Sequence, residues 1–158
     1  MSYIIREMLK EEYGLLEDFL YEAIFIPEGI LPPPKSIIMQ PELQVYLTDF
    51  GRKKDDTALV AEVDGKVAGA VWARIMNDYG HIDDSSPSLA ISLYKEYRGQ
   101  GMGTALLQEM LSALRQKGYA RTSLAVQKAN YAVKMYQKAG FEVVDENEEE
   151  YIMVFRLQ

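Results

Sequence analysis

The stretch Arg98-Gly99-Gln100-Gly101-Met102-Gly103-Thr104 stands between an apolar run, Ser88-Leu-Ala-Ile-Ser-Leu-Tyr94, and a segment of helical period. The run predicts a buried strand. Leu106, Leu107, Met110, Leu111 and Leu114 share one stripe, which predicts a helix over 102–117. Three glycines at alternate positions let the backbone turn tightly and bring its N–H groups close to a ligand. The following helix adds unpaired N–H donors and the positive end of its dipole. Such a turn is a cradle for phosphate or pyrophosphate.

Three phosphate-binding patterns compete for this turn. The dinucleotide pattern Gly-x-Gly-x-x-Gly fails, because glycines at 99, 101 and 103 leave Thr104 where the last glycine belongs. The acidic ribose partner expected about twenty residues further on is also missing, since 118–122 reads Gly-Tyr-Ala-Arg-Thr. A nucleotide P-loop fails because no Gly-Lys-Ser/Thr follows. The third pattern, Arg/Gln-x-x-Gly-x-Gly/Ala between strand and helix, is met by Arg98, Gly101 and Gly103. In this the turn resembles the acyl-coenzyme A loop of the GNAT-type N-acetyltransferase superfamily. The bland alternative is a glycine-rich turn that holds nothing.

The resemblance continues downstream. Residues 122–127 predict a second strand and 130–138 a short helix, with Ala132, Met135 and Ala139 on one side, Gly140 as its C-cap and Phe141 opening the next strand. The block Asn130-Tyr-Ala-Val-Lys-Met-Tyr136-Gln-Lys-Ala-Gly140-Phe141 is similar to the family's Asn…Ala…Leu-Tyr…Gly-Phe block. One departure is visible: Asn130 stands six residues before Tyr136, whereas many members place it seven before.

Charge supplies an independent check. The chain carries 17 Lys plus Arg against 24 Asp plus Glu, a net charge of −7. Residues 94–138 hold eight basic residues against Glu96 and Glu109, a net +6 that leaves −13 for the remainder. Coenzyme A carries a pyrophosphate and a 3′-phosphate, so a basic binding half suits it, and acidic ground suits a cationic amine. The alternative is that these residues merely decorate two solvated helix faces.

A chain of 158 residues, 48% of them apolar, fits one compact domain over 1–158 with a substantial core. The absence of Cys leaves no disulfide, thiolate metal site or Cys nucleophile, and the single His leaves no His-based metal cluster. Neither a long apolar run nor a signal-like N-terminus is seen, so the expectation is a cytoplasmic protein without a membrane partner. A sequence pI near 4.8 argues against nucleic acid.

The first half reads more coarsely. Residues 3–8 predict a strand and 10–25 an amphipathic helix with Leu15, Leu16, Phe19, Leu20 and Ala23 inward. Residues 26–34 hold four prolines and can be neither regular helix nor central strand. A second helix is expected over 41–50, and strands over 57–64 and 66–76 around the hairpin signal Asp64-Gly65. With 142–145 and 151–157 as further strands, the order is β-α-α-β-β-β-α-β-α-β-β. That is the GNAT arrangement: α/β (α+β), a mixed sheet of six to seven strands flanked by about four helices.

The resemblance implies a set of roles. Ile91, Ser92 and Leu93 would line up with the pantetheine arm of acetyl-coenzyme A, the co-substrate, with the Leu93 N–H polarising the thioester carbonyl. Arg98, Gly99, Gln100, Gly101, Met102, Gly103 and Thr104 would hold the pyrophosphate, and Asn130 would contribute from the second block. Tyr136 matches the tyrosine that protonates or stabilises the departing thiolate. Its alternative role is packing, since the chain has eleven tyrosines. Some relatives carry a Glu on the strand before the second block, but Leu124, Ala125 and Val126 offer none. The base candidates are His81, Asp83, Asp84, Glu22 and Glu28, or an ordered water, and none is assignable. The Pro-rich loop, with Tyr21, Phe25, Ile26, Ile30 and Leu31, is read as an acceptor wall, a core anchor or a homodimer contact. Residues 146–150 read most simply as a solvated acidic turn before the last strand, with an amine-attracting rim as the lesser alternative. Two functions stay open: an acyl-coenzyme A-dependent N-acyltransferase acting on a small-molecule or peptide amine, and a cofactor-binding module without turnover. Transfer to a hydroxyl ranks below both.

Overall fold

The computed structural model describes residues 2–158; Met1 lies outside them. Seven strands form one sheet: β1 (Ile4–Glu7), β2 (Thr57–Val63), β3 (Lys66–Arg74), β4 (Ser88–Leu93), β5 (Arg121–Gln127), β6 (Glu142–Glu146) and β7 (Glu150–Arg156). Their spatial order is β1-β2-β3-β4-β5-β7-β6. Every neighbouring pair is antiparallel except β4 and β5, which run parallel. The helices are α1 (Leu16–Ala23), α2 (Pro41–Gln44), α3 (Met102–Gln116) and α4 (Ala132–Ala139). The α+β order expected from the sequence is the order observed.

Two apolar clusters lie on opposite sides of the sheet. On one side Leu106, Leu107, Met110, Leu111 and Leu114 of α3 pack with Val71, Leu89, Leu93, Leu124 and Met153. On the other, Leu16, Phe19 and Leu20 of α1 pack with Val60, Ala70 and Trp72. The period-2 alternation of β2 and β3 sends neighbouring side chains to different clusters. Burial of this apolar surface is the main favourable contribution to the fold.

Two helices expected from periodicity are shorter than predicted. Over 10–25 the chain winds first as a 3-10 segment, Lys10–Leu15, and becomes α-helical only at Leu16. Glu12 accepts the Leu9 N–H at 2.8 Å and pairs with Arg6, tightening the first turns, and Gly14 weakens helix propensity there. Over 41–50 only Pro41–Gln44 is α-helical. The carbonyls of Val45 and Thr48 instead accept Arg74 Nη1 at 3.2 and 2.9 Å, and Trp72 Nε1 donates to Tyr46 O at 3.2 Å. Buried Arg74, also paired with Asp56 at 3.1 Å, thus recruits carbonyls a continuing helix would have used. Asp49 then takes a left-handed φ of 54°, which closes the segment.

Gly69 marks where β3 approaches β4 most closely. A Cβ there would stand 2.2 Å from Leu93 Cδ2 and 2.8 Å from Ser92 O. At the sheet's far edge, every residue of β6 is exposed.

Candidate functional site

β4 and β5 are bridged only at Ser88 and Ser123 and diverge beyond it. Tyr94 N donates to Ala68 O at 3.0 Å, so Tyr94, and with it Ser92 and Ala90, turns its backbone polar groups toward β3. By alternation, the N–H groups of Ile91 and Leu93 face the gap. A peptide-like chain lying there would find the donors that a fully laddered β4–β5 pair would have consumed.

A cavity of about 560 Å³ opens at this gap. Ile91, Ser92, Leu93, Arg98, Gly99, Gly101, Gly103, Thr104, Asn130 and Tyr136 all line it. Gln100 and Met102 do not. Gln100 is exposed and donates to Glu96 O, and the Met102 side chain is buried in the α3 core. Ser92 turns its hydroxyl away, donating to Phe19 O of α1 at 2.6 Å. Gly101, at φ 88°, immediately precedes α3, and a Cβ on it would project into open space. The cradle therefore has room and backbone donors for a pyrophosphate, and the gap has donors for a pantetheine arm. The residues present fit coenzyme A.

The Arg98 side chain, which lines the cavity, is also engaged within the protein. Its Nε donates to Leu93 O at 3.0 Å, while Nη2 reaches Glu22 O at 3.2 Å and Glu22 Oε1 at 3.0 Å. It ties the end of β4 and the glycine turn to the C-terminal end of α1. Asn130 also has a local task, since its Oδ1 accepts the Ala132 N–H at 2.9 Å where α4 begins. α4 itself starts at Ala132, two residues later than the apolar pattern suggests.

Tyr136 is 7% exposed and packs edge-on against Phe141, at 5.7 Å between ring centroids. It is both a packing residue and a cavity wall. Burial alone holds its phenol well above the ordinary tyrosine range, so the proton stays on oxygen at any physiological pH.

The base candidates separate cleanly. Glu22 reaches the cavity but is paired with Arg98. His81 pairs with Asp84 at 3.1 Å, and Asp83 with Arg121; none of the three lines the cavity. Glu28 is exposed. The sequence did not single out Tyr46, which lines the cavity and donates to Asp78 Oδ2 at 3.0 Å. Ser88 Oγ donates to the other oxygen of Asp78 at 2.8 Å. Burial raises the Asp78 pKa against those hydrogen bonds. The Tyr46 phenol is raised by burial first, then by Asp78 and, more weakly, Glu150 and Tyr136. Glu150 itself, read in sequence as part of a solvated turn, lines the cavity at the start of β7. Its carboxyl is raised by burial and then by Glu149. Only the pairing of β7 with β5, twenty-three residues away between Glu150 and Gln127, brings it there.

The glycine turn, the parted strands and the cavity between them define an acyl-coenzyme A-type site on a mixed seven-stranded sheet. The acetyltransferase (GNAT) family profile matches residues 19–141, and the chain belongs to that family. An N-alpha-acetyltransferase of Sulfurisphaera tokodaii is 33% identical over 108 residues, covering 63% of this chain and 64% of the relative. An acetyltransferase of Pectobacterium atrosepticum is 31% identical over 91 residues, covering 57% and 60%. The chain spans between 36% and 64% of the length of the curated relatives it matches. Among solved structures, PaiA N-acetyltransferase from Thermoplasma acidophilum in complex with coenzyme A superposes with a TM-score of 0.73 over 99% of both chains, at 23% identity. That likeness shows the fold. No helix among the described residues is long and apolar enough to cross a membrane.

Proposed function

We propose that this chain is an acyl-coenzyme A-dependent N-acyltransferase, moving acetyl from acetyl-coenzyme A to a primary amine of a small molecule or peptide by direct attack on the thioester. The observation that carries this reading is the parting of β4 from β5 beyond Ser88, which frees the Ile91 and Leu93 N–H groups beside the glycine turn. The family match over 19–141 supports it, as do the names of the relatives.

Acetyl-coenzyme A supplies the activated acyl group. The N–H groups of Gly99 to Thr104 and the N-terminus of α3 take the pyrophosphate, and the basic segment 94–138 supplies the surrounding positive field. Leu93 N–H polarises the thioester carbonyl and favours the charge that develops on its oxygen. Tyr136 donates a hydrogen bond to the departing sulfur. Its raised pKa makes full proton transfer to a thiolate, whose thiol pKa is near 8.5, strongly uphill, so Tyr136 acts as donor and keeps its proton. The same proposal places the reaction in the cytoplasm, where acetyl-coenzyme A is at hand. A homodimer, if formed, has the exposed Ile30 and Leu31 to bury.

The test is release of free thiol from acetyl-coenzyme A across polyamines, aminoglycosides, amino acids and N-terminal peptides, with Tyr136→Phe alongside. Turnover of one amine class, weakened in the variant, is the expected result. Silence from protein that binds the cofactor would leave a binding module; failure to bind it would overturn the reading of the glycine turn.

A further inference from the structure

The cavity is lined from both sides of the sheet, and the two sides differ in chemistry. Leu124 and Val126 of β5 point to the α3 side, with the glycine turn and α4. Ser123, Ala125 and Gln127 therefore point to the other side, where Ser123 Oγ donates to Gly80 O in the loop that also carries Asp78. Directly paired strand residues share a face, so Glu150, opposite Gln127, lies on that side as well. Tyr46 joins it there.

Two acids line the cavity, Glu22 and Glu150. Arg98 neutralises Glu22 at 3.0 Å. No salt bridge among the described residues involves Glu150. The groups that act on it are Asn147 and Glu149 on its own turn, and its charge is felt in turn by Tyr46 from the segment after α2. None of these is a cation. Tyr46 is equally one-sided: its proton is committed to Asp78, so toward the cavity its oxygen offers only lone pairs. A site built from an uncompensated carboxylate and a phenol oxygen that accepts but does not donate is complementary to a group rich in N–H donors and positive charge.

We propose that Glu150 is the group that receives the acceptor's ammonium and takes up its proton, with Tyr46 Oη as a second hydrogen-bond acceptor, so that the substrate is a cationic primary amine entering from the face opposite the glycine turn. This rests on the acyl-transfer reading above. Nitrogen loses two protons in the reaction. The first passes to the Glu150 carboxylate and on to solvent, which frees the lone pair for attack. As the N–C bond forms and the C–S bond breaks, the bonding pair leaves with sulfur, and the second proton, released as the amide forms, ends on that sulfur. Glu150 thereby fills the place left empty by Leu124, Ala125 and Val126.

The experiment compares the full chain with Glu150→Gln and Glu150→Asp, using acetyl-coenzyme A with spermidine, lysine and an Ala-Arg dipeptide as probes. Coenzyme A affinity is measured by calorimetry on the same samples. The expected result is a loss of roughly 10²–10⁴-fold in kcat/KM for Glu150→Gln, the range of general-base removal. Coenzyme A affinity stays unchanged, and Glu150→Asp restores part of the rate. The deficit narrows as pH rises toward the amine's own pKa, because free amine then needs no base. A Glu150→Gln rate within threefold of the parent overturns the proposal, as does a deficit independent of pH. No turnover of any of the three amines by parent protein that binds coenzyme A overturns it too and leaves the cofactor site standing. Failure of the parent to bind coenzyme A instead removes the acyl-transfer reading on which the proposal depends.

Discussion

Tyr136 shows how one side chain is at once a core residue and a cavity wall. Its ring packs edge-on against Phe141, and the residue also lines the cavity. Tyr136→Phe keeps the ring and removes only the donor, and a hydrogen bond to a charged sulfur contributes about 1.5–3 kcal/mol, roughly ten- to hundredfold in rate. The expected outcome is a fall of that size in kcat with acetyl-coenzyme A affinity unchanged, read by steady-state kinetics and calorimetry. A second residue-scale prediction concerns acid. Arg6 holds the Glu12 carboxyl below its ordinary value, so this pair contributes stability above the unfolded pKa of 4.5 and loses it as pH falls through the lower folded value. Asp78 has the opposite sign: raised by burial, it costs stability as pH rises from 3.8 through its folded value. Glu12→Gln should therefore melt below the parent at pH 7, with the gap closing in strong acid. At this scale the sequence named Tyr136 and the glycines because they sit in short local patterns. It left Glu150 in an acidic turn, with an amine-attracting rim as the lesser alternative, and missed Tyr46 and Asp78. Strand pairing and a long loop, not spacing, bring Glu150 and Tyr46 to one cavity, with Asp78 bonded to Tyr46.

The strands and α3 were legible because their burial follows a single period, as in the stripe Leu106, Leu107, Met110, Leu111, Leu114. The segments 10–25 and 41–50 were overextended as helices for different reasons. Over 10–25 the cause is local: Glu12 accepts hydrogen bonds from the Leu9 N–H and Arg6, and Gly14 weakens helix propensity. Over 41–50, hydrogen bonds from Arg74 and Trp72 claim carbonyls that periodicity assigns to a helix interior, and such long-range partners leave no local trace. The element on which the site most depends is the β3–β4 pair beside the gap. Gly69 lets β3 lie close to Ser92 and Leu93 just where β4 turns away from β5. Gly69→Ala forces β4 outward, and overpacking of this kind costs about 1–3 kcal/mol. The expected outcome is a melting temperature lowered by about 2–4 °C for each kcal/mol. Coenzyme A affinity should fall with it, because Leu93 carries a cavity-facing N–H.

Over the whole molecule, charge is divided between two parts of the chain. The +6 of residues 94–138 lies with the glycine turn and the −13 with the remainder, including Glu150 and the β6–β7 turn. Coenzyme A affinity should weaken as sodium chloride is raised, since exposed charges are screened beyond about 8 Å at physiological ionic strength. Dephospho-coenzyme A, which lacks the 3′-phosphate, should show a shallower salt dependence in the same titration. The acidic bias also shapes how molecules meet one another. β6 ends the sheet with its backbone edge open and its side chains exposed, and Glu142, Asp145 and Glu146 stand along it. Two molecules joining there would set carboxylate against carboxylate, so the edge is self-avoiding at neutral pH. Acid discharges those groups and leaves Val143 and Val144, 38% and 56% exposed, as the dominant feature of the border. Below the carboxylate range, the border that repels its own copies becomes the one along which they would string together.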